Sequence, residues 1–226
     1  FGWQLIWIIL LANLIKYPFF EFGSRFTAAT GKTLLEGYMA LGKGYLLAFI
    51  LVNIVTATGS IAAITYVTSA LFANMMPLKL PIEAWAIIII SCCSLLFISG
   101  RYGIIDRVVK ALMVILIVTT VTAFVVAFSK GGVAAPEFES PSPWNMISLG
   151  FIIALMGWMP GPIEISVWQS LWIDAKSKAE NTKPTLNQAL RDFNMGYVLC
   201  VVLAIVFLGL GALVMHGSGE VFTNQA

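Results

Sequence analysis

Charge is scarce in this sequence. Asp, Glu, Lys and Arg together supply 11% of its 226 residues, where a soluble domain carries about a quarter. Histidine is nearly missing: the one present is His216, at the outer end of the last apolar run. Neither a histidine metal cluster nor a Ser-His-Asp triad can therefore be assembled from this chain. Cysteine is limited to Cys92, Cys93 and Cys200. The first two are neighbours, a spacing that disfavours a structural disulfide, and all three lie in apolar runs and read as buried small hydrophobes. No basic patch with interleaved aromatics is present, which argues against nucleic acid as a partner; the net charge of +2 does not alter that. No nucleophile–base pair is visible, so an enzyme is not expected. The apolar/polar alternation of a membrane β-barrel is also missing.

What the sequence does hold is hydrocarbon. Hydrophobic residues make up 59% of it and the mean hydropathy is +0.92. Several runs approach or exceed the ~18–20 apolar residues needed to cross a bilayer. In lipid every backbone polar group must be satisfied internally, so the spans should be helices. The expected fold class is all-α: a polytopic transmembrane helical bundle, one membrane domain over residues 1–226. Six segments are expected, near 3–22, 45–73, 81–99, 105–128, 144–173 (interrupted, as 144–158 plus 163–173) and 195–216.

Lys and Arg orient the bundle, because short cytoplasmic loops carry the excess. The loop after the first span holds Arg25, Lys32 and Lys43; the next holds Lys79; the third Arg101, Arg107 and Lys110; the fourth Lys130, beside Glu137 and Glu139; the fifth Lys176, Lys178, Lys183 and Arg191. The basic count alternates 3, 1, 3, 1, 4, which places 23–44, 100–110 and 174–194 in the cytoplasm and Phe1 outside. The plasma (inner) membrane is the expected location. Nothing before Trp3 resembles a signal peptide. An odd number of spans is expected upstream of Phe1 and more chain beyond 217–226, so that the sequence reads as the middle of a protein.

The fifth segment breaks its own pattern. In "GWMPGPIEIS", residues 157–166, two prolines, two glycines and an acid interrupt an apolar run. Pro160 and Pro162 lack amide hydrogens and disfavour helix at the residue before each, and Gly161 between them is free to turn. A helix broken in hydrocarbon strands backbone groups at several kcal/mol apiece. Two readings are open: a proline kink satisfied by neighbouring helices, or a discontinuous helix whose carbonyls face a cation at a transport site. The first half-helix enters from outside, so its partly negative C-terminal end, near Met156 to Met159, points into the membrane. Met159 adds a soft thioether suited to transition metals. Glu164, just past the break, handles an ion or proton or caps the second half-helix; the two roles are compatible.

Other polar residues in the spans have structural readings. Asn13 faces the core, in a packing hydrogen bond between helices or lining the site. Lys16 lies near the cytoplasmic end of its span, where snorkelling accounts for it. "TGKT", Thr30 to Thr33, lacks the preceding glycine of a phosphate loop, since Phe26 stands there, and reads as a polar loop. Asp174 and Lys176 read as a solvated helix end. Trp3, Trp7, Trp144 and Trp172 fall near the interfaces; Trp158 and Trp168 lie nearer the break, in packing or along a pore.

The order of spans, "WIILLANLIK" in the first, "TGKTL" after it, and "MP" inside a broken helix resemble the Nramp divalent-metal transporters. That resemblance covers nearly the whole chain and implies a LeuT-type fold of two inverted repeats, this sequence matching the family's second through seventh spans. It implies that Met159 corresponds to the metal-coordinating methionine of the family's Met-Pro-His motif, and that Met156 offers the backbone carbonyl. It also marks departures. The motif histidine is Gly161 here, and a second histidine falls on Ser166, a possible lining residue of the site. The family's third span carries acids linked to proton movement. Here 46–73 has no ionisable group except Tyr66, with Thr56, Thr58, Gly59 and Ser60 near its middle. The family's Asp-Pro-Gly-Asn motif belongs to a preceding span.

The function these features imply is a secondary transporter carrying a divalent metal cation across the bilayer by alternating access, without proton coupling by the family's usual route. The metal is substrate, and no cofactor is expected. The alternatives are a carrier of the same fold for an amino acid or another small organic solute, and a membrane subunit that transports nothing.

Overall fold

The computed structural model of the protein describes residues 1–99, 102–133, 138 and 140–218. Arg101, Pro136, Glu137, Glu139 and the segment 219–226 lie outside the described residues. Within them the fold is all helix. A 3-10 turn, Gly2–Leu5, opens into α1 (Ile6–Thr30), followed by a short α2 (Leu34–Leu41) and a long α3 (Lys43–Met75). Then come α4 (Ile82–Ser99), α5 (Tyr102–Lys130), α6 (Met146–Trp158), α7 (Ile165–Glu180) and α8 (Leu186–Leu210), which runs into a π turn at Gly211–Met215. Four stretches are long and apolar enough to cross a membrane: Gly2–Thr30, Lys43–Met75, Gly103–Lys130 and Leu186–Met215. Ile82–Ile98 and Met146–Trp158 are apolar but shorter.

Several helices outrun their apolar stretches. α1 continues through Pro18 to Thr30, so Arg25 lies on the helix, paired with Glu21 one turn back at 2.8 Å. It stops where Gly31 adopts φ 67° and its amide closes on Thr27 at 2.8 Å. Two capping boxes then restart the chain. Thr33 and Glu36 exchange bonds at the head of α2, and Thr185 and Gln188 do the same for α8, each pair satisfying two amides that helix entry strands. The "TGKT" segment is thus a short polar connection between α1 and α2, as its residues imply. α7 likewise carries Asp174 inside the helix, bonded to Lys178 at 2.7 Å, and ends only at Asn181, in a left-handed conformation. Hydropathy marks where the chain is apolar; hydrogen bonds and caps decide where it stays helical.

α1 is the organising element. Ile9, Ala12, Asn13, Phe20, Gly23, Ser24 and Thr27 are buried, a spacing of three and four that lays one face of the helix against α7 and α8. The closest approach is at Gly23, where a β-carbon would stand 2.4 Å from the Ser166 carbonyl oxygen. α2 hooks onto α7 through the Leu34 amide, which donates to Ser170 Oγ at 3.1 Å. α5 packs on α8 and α7, whereas α3 and α4 pack chiefly on each other. Among the ties from α3 to the rest are Trp168 Nε1 to Asn53 Oδ1 at 3.3 Å and the Tyr38–Phe49 ring contact.

The buried core is small, built around Leu5, Ile8 and Ile152, and most large apolar side chains face outward. The cysteines are a correction of this kind: Cys92, Cys93 and Cys200 are free but all exposed. Where the surroundings are hydrocarbon, nothing drives a small apolar side chain inward. The two ends of the bundle differ in the sense that the basic alternation requires. At one end Gly2 abuts His216, His216 bonds Ser140 at 2.7 Å, and Trp7 stacks on Trp144 at 5.1 Å. At the other, Lys110, Lys176 and Lys183 surround one cavity.

Gly23→Ala is expected to force α1 and α7 apart and to lower stability by about 1–3 kcal/mol, the usual cost of overpacking. Gly59→Ala, which meets nothing within 4 Å, should leave thermal melting unchanged and serves as the control. A second expectation concerns α2. The Thr33 amide and hydroxyl, donating to Glu36 Oε2 at 2.6 and 3.0 Å, hold the Glu36 carboxyl below the ordinary glutamate range. A depressed acid stabilises the fold above its unfolded pKa and loses that contribution as pH falls through the folded one. The melting advantage of the native chain over Glu36→Gln should therefore be present at neutral pH and close as pH drops through the lowered range. A gap independent of pH would remove the carboxylate from the account.

Candidate functional site

The helix that enters from the Trp144 end stops at Trp158 and does not resume until Ile165. Its last intrahelical bond of this kind joins the Met159 amide to the Leu155 carbonyl at 3.0 Å. Met159 itself is extended, φ −104° and ψ 122°, and its peptide bond to Pro160 is cis. On the far side the amides are taken up locally: Ile165 by Pro162 at 3.1 Å, Ser166 by Ile163 at 3.1 Å, and Val167 by Glu164 at 2.9 Å. The donors of the second half-helix are thus satisfied by the turn that precedes it. The acceptors of the first half-helix are not, because a helix end leaves its final carbonyls without partners.

Those carbonyls converge on Lys16. Its ammonium donates to Met156 O at 2.6 Å, to Gly157 O at 2.8 Å and to Gly161 O at 3.0 Å. An ammonium has three hydrogens, and each has a peptide oxygen within reach. The lysine comes from α1, whose buried face carries it between Asn13 and Phe20, and its residue is half-buried. Snorkelling toward water therefore does not describe Lys16: the head group turns inward, to carbonyls that the break in the helix leaves without amides. The sequence signal was its register. Residues 9, 13, 16, 20 and 23 fall on one helical stripe, so a lysine at that position faces the interior rather than lipid.

The other predicted residues are placed as follows. Met156 contributes its carbonyl to the cradle, and Met159 is half-buried at the end of α6. Pro160 and Pro162 are half-buried and Gly161 is buried. A β-carbon at Gly161 would meet Ile165 Cδ1 at 2.5 Å, so any side chain at the position of the family's motif histidine requires Ile165 to move. Glu164 occupies the N-cap position of α7 without a side-chain capping bond. The capping reading of this acid is thereby corrected, since the turn already supplies acceptors to those amides. Glu164 and Lys16 form no ion pair within 4 Å among the described residues. Ser166 is buried, its hydroxyl donating to Ile163 O at 2.8 Å. Asn13 is buried with its amide turned back on Ile9 O of its own helix at 2.8 Å, and its Oδ1 is unpartnered. The interhelical bond at this level is made by its main chain, which accepts from Tyr197 Oη of α8 at 2.6 Å.

From the break a cavity of about 1120 Å³ runs toward the basic end of the bundle. Pro160, Ile165 and Trp168 line it near the break, and Asp106, Lys176 and Lys183 line it near the basic end. Trp168 thus both lines this space and packs on α3. No group of three or more His, Cys, Asp or Glu side chains that would hold a metal occurs among the described residues. Among the described residues, the break itself presents peptide oxygens, the Met159 thioether and the Glu164 carboxylate.

Comparison with known proteins places the chain. The pattern of the Nramp family, described as "Natural resistance-associated macrophage protein-like", matches residues 1–226. The chain belongs to the Nramp family. A curated relative, the uncharacterized protein PM0681 of Pasteurella multocida (strain Pm70), is 43% identical over 223 residues. That match covers 97% of this chain and 51% of the relative, so the chain spans about half the length of the curated relative it matches. No solved structure matches it. As a member of a family of metal transporters with helices fit to cross a bilayer, this Nramp chain is an integral membrane protein.

Proposed function

We propose that this protein carries a divalent metal cation across the membrane by alternating access, and that the cation binds at the break between α6 and α7. The observation that carries the reading is the convergence of the Met156, Gly157 and Gly161 carbonyls on one positive charge, all within 3.0 Å. Peptide oxygens at the partly negative end of a half-helix suit a cation, and Met159 at the same break offers sulfur to a borderline metal. Met156 O and Met159 Sδ would act as ligands, Glu164 would supply nearby negative charge, and the cavity below Pro160 would be the route to the basic end.

The same geometry argues against a carrier of organic anions. The groups that converge on Lys16 are carbonyl oxygens, whose partial negative charge repels a substrate carboxylate whether or not the lysine is in place. The lysine also sets a condition on metal entry. A divalent ion about 4 Å from its ammonium would be repelled by about 8 kcal/mol at an effective dielectric near 20. Ion and ammonium do not share the cradle.

Proton coupling through α3 finds no support there. Thr56 and Thr58 return their hydroxyls to Val52 O and Ile54 O of their own helix, at 3.0 and 2.6 Å, and Tyr66 is the one ionisable group of residues 46–73.

With full-length protein in liposomes, Met159→Ala should reduce Mn²⁺ uptake by roughly tenfold or more, a scale on which even outer-shell partners of a metal matter. Any Mg²⁺ uptake should change far less, and equal losses for both ions would count against sulfur coordination. In the same vesicles luminal acidification during Mn²⁺ uptake should be weak or missing. Robust metal-driven proton flux would overturn the uncoupled reading.

A further inference from the structure

The cradle at the break is already filled, and by a group belonging to the chain. Lys16 Nζ lies 2.6, 2.8 and 3.0 Å from three main-chain oxygens drawn from both sides of Met159. No carboxylate lies within ion-pairing distance of the ammonium among the described residues, so the seat is made of peptide dipoles alone. That donor set accepts an ammonium or a metal ion and distinguishes them only by size and charge. The lysine reaches it on a flexible four-carbon stem with rotatable donors from a different helix, α1, and is only half-buried. α6 packs on α1 through the core of Leu5, Ile8 and Ile152, which sets its broken end beside Lys16. Glu164 stands at the N-terminal edge of α7, three residues past Gly161 in the chain.

We propose that Lys16 is a tethered competitor cation: its ammonium occupies the carbonyls of Met156, Gly157 and Gly161 when no substrate is bound, and leaves before the transported ion enters. The inference rests on the metal-transport reading given above and goes beyond it. Each cycle exchanges a chain-borne positive charge for the cargo. The empty break never exposes bare carbonyls to hydrocarbon, and the affinity for metal is set by the difference between ion and ammonium rather than by the ion alone. An ordinary helix-end cap would also place a lysine near final carbonyls, but it would stay in place when metal binds.

The distinguishing experiment follows the lysine itself in full-length wild-type protein. Lys16 is modified by reductive methylation and quantified by mass spectrometry, with and without saturating Mn²⁺. A tethered competitor becomes several-fold more reactive when Mn²⁺ is bound, whereas unchanged or reduced reactivity in metal-loaded protein overturns the proposal. In parallel, titration calorimetry compares wild type with Lys16→Met and Lys16→Ala. Removing the like charge should tighten Mn²⁺ binding by about tenfold or more, and methylammonium should compete with Mn²⁺ in Lys16→Ala but not in wild type. Mn²⁺ bound equally well, or less well, by folded variants discards the competitor while leaving the metal site standing. Should a variant fail to fold, the labelling of wild type still decides. If neither wild type nor Lys16→Met binds Mn²⁺, the metal reading fails and the competitor fails with it.

Discussion

Three hydrogen bonds from one lysine hold this structure's central irregularity in place. A helix that ends within an apolar bundle leaves carbonyls without amides, and each would cost several kcal/mol if left to hydrocarbon. The fold resolves the donor side with a local turn from Pro162 to Val167 and the acceptor side with Lys16. The two solutions differ in kind. The turn is made of the backbone that forms the break, so it moves with α7. The lysine arrives from α1, so the carbonyls of α6 are satisfied only while α1 and α6 keep their present relation.

That dependence explains the tightness of α1 elsewhere. Gly23 admits the Ser166 carbonyl of α7 closer than any β-carbon would allow. Tyr17 donates to Asn194 of α8 at 2.6 Å, and Tyr197 of α8 donates back to Asn13 O at 2.6 Å. Tyr17, Phe20, Phe193 and Tyr197 fill the space between with ring contacts. α1, α7 and α8 therefore behave as a packed unit from which Lys16 extends, and α2 clips the same unit through Ser170. α6 joins this unit through the Leu5, Ile8 and Ile152 core, against which Leu155 and Met156 also pack, and through the hydrogen bonds of Lys16 at its broken end.

Much of this was legible in the residues. The paucity of charge, the alternating basic loops and the Pro-Gly-Pro interruption each rest on local chemistry, and the break lies where those residues placed it. The capping boxes at Thr33–Glu36 and Thr185–Gln188 are equally legible in the residues, and they start α2 and α8 in stretches that hydropathy alone passes over. Glu164 was located correctly at the start of α7, but its capping role depended on amides whose partners no local pattern reveals. The cysteines erred for another reason: burial of a small apolar residue follows from aqueous surroundings, and these helices do not have them.

By itself the sequence determined which segments are apolar enough to span, which ends of the bundle carry the positive charge, and where a helix must fail. All three follow from composition and from backbone sterics at Pro160, Gly161 and Pro162, interactions reaching only a few residues along the chain. Only the tertiary structure decided what answers that failure. Lys16 stands 140 positions from Met156 in sequence, and no periodicity on α1 names the helix its buried stripe will face. The packing of α1 against α7, set by the Gly23 contact, carries the ammonium to the oxygens that the break sets free.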